Sequence, residues 1–153
     1  VVHIAVYDAV ALAGGELRPF YSDARVPVGT NPAAAAAVAA HRVLMELYPS
    51  HASAFDDALD ETLAGVPEGP GKGRGVALGQ AVAEQVLEWR SADTKAAARH
   101  AYTPGDAAGR WRPTPPSYAE PLLPGWGNVR PFALPDPAAF RPPGPPKLDS
   151  PAY

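Results

Sequence analysis

Asn31-Pro-Ala-Ala-Ala-Ala-Ala-Val-Ala-Ala-His-Arg-Val-Leu-Met-Glu-Leu-Tyr-Pro49 reads as one helix with both ends marked. The Asn31 side chain can accept from the free backbone N–H groups of a first turn, and Pro32 pre-sets the first helical φ. The alanines lose little conformational freedom on becoming helical, Val43, Leu44 and Leu47 fall on one stripe, and Pro49 stops the run. Both flanks continue the helical pattern. Upstream, Val2 to Ala13 places Ile4, Ala5, Ala9 and Leu12 near three-and-four spacing and ends at Gly14-Gly15. Residues 16–31 contain Pro19, Pro27 and Gly29 and no sustained period, so they predict a connection whose Phe20 and Tyr21 tuck against the core.

Downstream, Phe55, Leu59 and Leu63 lie four apart, and Asp56, Asp57, Asp60 and Glu61 take the other faces of a third helix. Ser50 or Ser53 would cap it and Gly65 would end it. A Gly/Pro turn at 67–71 leads to a fourth helix with Val76, Leu78, Val82, Val86 and Trp89 on its apolar face, fraying near Ser91. Gly75 and Gly79 lower its helix propensity but, four apart, let a neighbouring helix come close. Short connections favour antiparallel neighbours, so residues 1–100 predict a mainly α fold, a small antiparallel bundle of about four helices.

Composition changes after residue 100. Of the 20 prolines, 14 lie in residues 101–153, which excludes a long helix or a central strand there. Tyr102, Trp111, Tyr118, Trp126, Phe132 and Phe140 recur along the same stretch, whereas disordered tracts are poor in aromatics. Residues 101–153 therefore predict a long, irregular arm packed on the bundle by its rings, the two forming one domain. Val1 is not a methionine and opens on a helix already under way, and Ser150-Pro151 is a helix start with no helix after it. Both ends are expected to be cuts within a larger helical protein.

The 153 residues suffice for one compact domain, though much of the apolar content is alanine, which buries little area per residue. A net charge of −3 with scattered basic residues gives no footprint for nucleic acid or an anionic membrane surface. No apolar run approaches the roughly 20 residues of a spanning helix. Zero cysteines exclude a disulfide, a thiolate metal site and a cysteine nucleophile.

Few constellations carry chemistry. Gly69-Pro-Gly-Lys-Gly-Arg-Gly75 lacks the spacing, the following hydroxyl and the preceding strand of a phosphate loop, and reads as a turn entering the fourth helix. His3, His41, His51 and His100 include no pair spaced to share a helical face, so no metal site is expected. The acidic cluster Asp56, Asp57, Asp60 and Glu61 reads as a solvated helix face. Pro113–Pro116 and Pro142–Pro146 fit a loose Pro-x-x-P pattern, but flanking Trp111 and Phe140 favour packing within the chain. His3 and Tyr7 share a face of the first helix, beside Asp8, an ionisable group in apolar company.

The arm also carries a family resemblance. Tyr102-Thr-Pro-Gly105, Gly109-Arg-Trp-Arg-Pro-Thr-Pro-Pro116, Pro124-Gly-Trp-Gly-Asn-Val-Arg-Pro-Phe-Ala133 and Phe140-Arg-Pro-Pro143 follow one another in that order. Before them come His3-Ile-Ala-Val-Tyr-Asp-Ala9, Leu47-Tyr-Pro49 and Gly75-Val-Ala-Leu-Gly79. Together they resemble the amino-terminal half of bacterial vanadium-dependent haloperoxidase-like proteins, of the type 2 phosphatidic acid phosphatase superfamily. The resemblance spans nearly the whole chain and is most specific at the two tryptophan-containing strings.

The resemblance implies a helical parent that holds vanadate, or phosphate in the phosphatase members, with Lys and Arg on the equatorial oxygens and a histidine in line. The family supplies these from three motifs: Lys followed by Arg-Pro after six residues, Pro-Ser-Gly-His, and Ser-Arg before a final histidine. None is present, because the residues seven before Arg18, Arg112, Arg130 and Arg141 are Ala11, Gly105, Leu123 and Leu134, and neither other string occurs. The chain is thus expected to bind no cofactor and to carry no catalytic residue. It would be the scaffold of a haloperoxidase, partnered by a missing carboxyl-terminal catalytic domain, in a secreted or cell-envelope setting. His3, Tyr7, Trp111 and Arg112 are its candidates for one wall of the substrate channel. Two other readings stay open: the scaffold of an acid-phosphatase-like enzyme, and a non-enzymatic helical interaction module.

Overall fold

A computed structural model of the chain describes residues 1–98 and 101–152, so His100 lies outside the described residues. They divide into two compact units, Val1–Ser91 and Ala92–Tyr153. The first contains α1 (Val2–Gly14), α2 (Pro32–Leu47), α3 (Ala52–Ala64) and α4 (Pro70–Arg90); the second contains a short α5 (Asp93–Ala98). No strand occurs among the described residues, and the fold is a small helical bundle, as the apolar periodicity predicts.

Local chemistry sets most helix ends. Gly15 takes φ 71° and returns its N–H to the Ala11 carbonyl, closing α1 with a left-handed cap. The Asn31 side chain accepts from Ala34 N–H at 2.9 Å, and Pro32 starts α2. The start of α3 differs from expectation, since neither Ser50 nor Ser53 caps it. Pro49–His51 form a 3-10 turn running straight into α3, with His51 at the N-cap and no side-chain capping bond. Ser50 is therefore spent inside that turn, and Ser53 already lies within the helix. Gly69 takes φ 143° ahead of Pro70 and admits α4.

The core joins Ala5 and Ala9 of α1, Ala35, Ala39 and Val43 of α2, and Leu78, Val82, Ala83 and Val86 of α4. It is thin in side-chain volume, as the alanine content implies: the largest fully buried side chains are Val43, Val82, Val86 and Asp8. Close backbone approach makes up for small side chains. A Cβ on Gly75 would meet the Asn31 carbonyl at 2.6 Å and Ala34 Cβ at 2.7 Å, and one on Gly79 would run into the Ala35 carbonyl. The Gly75–Gly79 spacing is thus where α2 lies against α4, in van der Waals contact that larger residues would prevent. The face of α4 is rotated slightly from the predicted stripe, so that Val76 and Trp89 are half-buried while Ala83 and Arg90 are buried. α3 packs on α2 but buries none of its residues fully.

In the second unit, α5 packs near a 3-10 turn at Trp126–Asn128. The helix was not anticipated: its six residues are too few to show a period. The remainder is turns and irregular backbone, as the proline density dictates.

Candidate functional site

The most constrained polar group in the bundle is Asp8. It sits on α1 with no solvent exposure, and its carboxylate accepts three successive backbone N–H groups. Phe20 donates to Oδ1 at 2.5 Å, while Tyr21 and Ser22 donate to Oδ2 at 2.9 and 2.7 Å. A buried carboxylate needs such compensation for its lost hydration, and three N–H groups provide it. One residue earlier on α1, the Tyr7 hydroxyl donates to the Arg18 carbonyl at 3.0 Å.

The loop is tied from its other side by α4. Ser22 Oγ donates to Gln85 Oε1 at 2.6 Å, Asp23 N–H donates to the same oxygen at 3.3 Å, and Gln85 Nε2 donates to Asp23 Oδ1 at 3.2 Å. Tyr21 stacks on Trp89 of α4 with ring centroids 4.3 Å apart and planes 11° apart, and Phe20 meets the same indole at 6.1 Å. Phe20 and Tyr21 thus do not tuck into the core; at 48% and 44% exposure they lie over Trp89. The reason is Asp8: by holding the backbone of residues 20–22 against α1, it turns these two rings outward.

Tyr7, Arg18 and residues 19–22 line an open hollow of about 500 Å³. Tyr7 is therefore at a concave surface, while His3, four residues earlier on α1, is exposed and does not line it. Trp111 belongs to the second unit, where it meets Tyr102 edge-on at 5.6 Å and accepts the Tyr102 hydroxyl on its backbone carbonyl at 3.1 Å. It lines a hollow of about 560 Å³ that Arg112 does not reach. Gln85 and Ser22 were missed in the sequence, where a polar residue beside an apolar stripe and a serine in a connection give no signal of their own. Trp89 was expected on the apolar face of the fourth helix but not as the ring on which the connection rests.

Other polar groups are committed to holding the fold. His41 Nε2 and Asp56 Oδ1 lie 2.7 Å apart, joining α2 to α3, so one member of the acidic cluster has a partner from another helix. Lys72 pairs with Glu68 at 2.5 Å, and Arg74 Nη2 donates to the Gly29 carbonyl at 2.8 Å. Gly69–Gly75 is not a turn as its glycines predicted, because all but Gly69 already belong to α4. Asn31 N–H donates to the Gly71 carbonyl at 3.0 Å, so the first turn of α4 is stitched to the loop before α2. Arg25 and Arg74 share a further hollow with Gln85 and Leu78, and Asp23, Glu84 and Glu88 share another with Tyr21.

A solved structure resembles this chain. It is described as the first bacterial vanadium-dependent iodoperoxidase, and the likeness has a TM-score of 0.76 at 27% sequence identity. It covers 95% of this chain and 38% of the iodoperoxidase, so the chain spans well under half the length of that protein. No family model and no curated protein matches the chain. The likeness to the iodoperoxidase supports a distant relationship.

The iodoperoxidase depends on vanadium, which raises the question of fit. A tetrahedral oxyanion such as vanadate calls for several converging cationic donors. None of the four hollows contains a histidine, and the one that brings two arginines together has one of them anchored on Gly29. No group of three metal-ligating side chains occurs among the described residues. The donor sets of these four hollows do not fit vanadate.

Proposed function

We propose that this chain is the amino-terminal scaffold of a vanadium-dependent haloperoxidase-like enzyme. In this reading the whole protein oxidises halide with peroxide, and vanadate is held by residues of a carboxyl-terminal catalytic domain outside this chain. The observation that carries the reading is the likeness to the iodoperoxidase along 95% of this chain, at an identity of 27%. The order of the tryptophan-containing strings agrees with it.

The scaffold role rests on the way the bundle is tied. Asp8, Gln85 and Trp89 fix the 16–31 connection from two helices at once, which presents Tyr7 and the Phe20–Tyr21 pair as a rigid surface. In the whole protein, His3, Tyr7, Trp111 and Arg112 are proposed to contribute to the wall of the substrate channel, with no role in the oxidation step itself.

The test is an assay of the product of the longest open reading frame containing this chain, loaded with vanadate and supplied with hydrogen peroxide and iodide or bromide. Vanadate-dependent halide oxidation supports the reading. Hydrolysis of phosphate esters without halide turnover would replace it by the phosphatase reading, and the absence of both would leave the helical interaction module. Alanine substitution of His3, Tyr7, Trp111 and Arg112 in that product, with kcat/KM for an organic substrate unchanged in all four, would remove the channel assignment.

A further inference from the structure

The hollow of about 560 Å³ in the second unit is of the size that small organic ligands occupy. Its walls combine two aromatic rings, Tyr102 and Trp111, with the Thr114 and Ser117 hydroxyls, the Glu120 carboxylate and Leu122. No lysine, arginine or histidine lines it. Glu120 is exposed and forms no ion pair among the described residues. The Tyr102 hydroxyl is already engaged by the Trp111 carbonyl, which leaves ring surface rather than phenol as what the tyrosine offers a ligand.

The backbone around the hollow is strained. The non-glycine residues with left-handed φ among the described residues are Tyr118 (47°) and Leu123 (49°), and they bracket residues 119–122, which line the hollow. Leu123 also precedes Pro124, a position that ordinarily holds its residue in extended conformations. Tyr118 N–H bonds to the Thr114 carbonyl at 3.0 Å and Leu123 receives Trp126 N–H at 3.0 Å, so hydrogen bonds hold the loop in this form. Non-glycine residues kept in such conformations concentrate at ligand sites, where the strain positions side chains in advance.

We infer that this hollow binds an organic cation, an ammonium group carried on an apolar or aromatic body. Trp111 and Tyr102 provide the π-faces that attract a cation, Glu120 supplies the opposite charge, and Leu122 with the surrounding prolines takes the apolar body. An anion of the same shape meets one negative charge and no positive one. The inference stands on the hollow alone; it shares Trp111 with the proposed channel wall but needs no peroxidase activity for its test.

The test is calorimetric titration of the 153-residue chain with benzyltrimethylammonium, and in parallel with benzenesulfonate. Saturable binding of the cation is expected, with the sulfonate at least about tenfold weaker, and with Glu120→Gln weakening the cation about fivefold to tenfold. Trp111→Leu should weaken it by a similar factor. Glu120 is exposed and its replacement by glutamine keeps its shape, so far-UV circular dichroism should be unchanged and this variant decides the matter even where Trp111→Leu disturbs the loop. No saturable binding of the cation, equal binding of the sulfonate, or a Glu120→Gln variant that binds like the parent chain would each overturn the inference.

Discussion

Asp8 shows what one side chain can organise. Its carboxylate holds three consecutive N–H groups in a fully buried place, so truncation leaves three donors without acceptors. Asp8→Ala is expected to destabilise the chain by roughly 3 to 5 kcal/mol, read by chemical denaturation, and to open residues 16–31 to proteolysis. Asp8→Asn keeps the shape but turns an amide NH₂ toward at least one donor, and should lie between the two. By contrast, Asp56 is more than half exposed, so Asp56→Ala should shift stability by less than about 1 kcal/mol despite its 2.7 Å contact with His41. Asp8 was visible in the sequence as an ionisable residue amid apolar ones. Its partners were not, because the N–H groups of residues 20–22 are backbone and leave no mark in residue types.

Among the helices, two glycines of α4 separate the opposing effects of a methyl group. A Cβ on Gly73 would meet nothing within 4 Å, so Gly73→Ala should add about 0.5 to 1 kcal/mol through helix propensity and a less flexible unfolded chain. Gly79 faces the Ala35 carbonyl and Val38 Cβ, so Gly79→Ala must push α2 and α4 apart and should cost about 1 to 3 kcal/mol, outweighing the same propensity gain. Thermal melts of the two variants should therefore move in opposite directions. Helices of this kind were legible where caps and period agreed, as at Asn31-Pro32 and Gly14-Gly15. They were less so where a boundary depended on geometry: at α3 the chain turns through Pro49–His51, and serine identity alone pointed to the wrong cap.

For the molecule as a whole, every buried hydrophobic side chain among the described residues lies between Ala5 and Val86. Hydrogen exchange should accordingly be slowest in the central turns of α2 and α4, approaching the global unfolding free energy, and fast through most of residues 101–152. Equal protection in the two stretches would contradict this distribution of the core. The proline count announced the irregular backbone of the second unit, and Trp111 stood out there as a ring among prolines. The hollow around Trp111 was not legible, because it depends on left-handed backbone at Tyr118 and Leu123, neither of them a residue type that signals such a turn.

The tie at Asp8 has one more consequence. It joins residue 8 to residues 20–22 across an irregular connection, a position where many small proteins place a disulfide. In a chain without cysteine the closure is made by a carboxylate and peptide N–H groups, neither of which exchanges electrons. Reductants that release disulfide-stapled loops leave this one closed, and its order is indifferent to the redox poise of its surroundings.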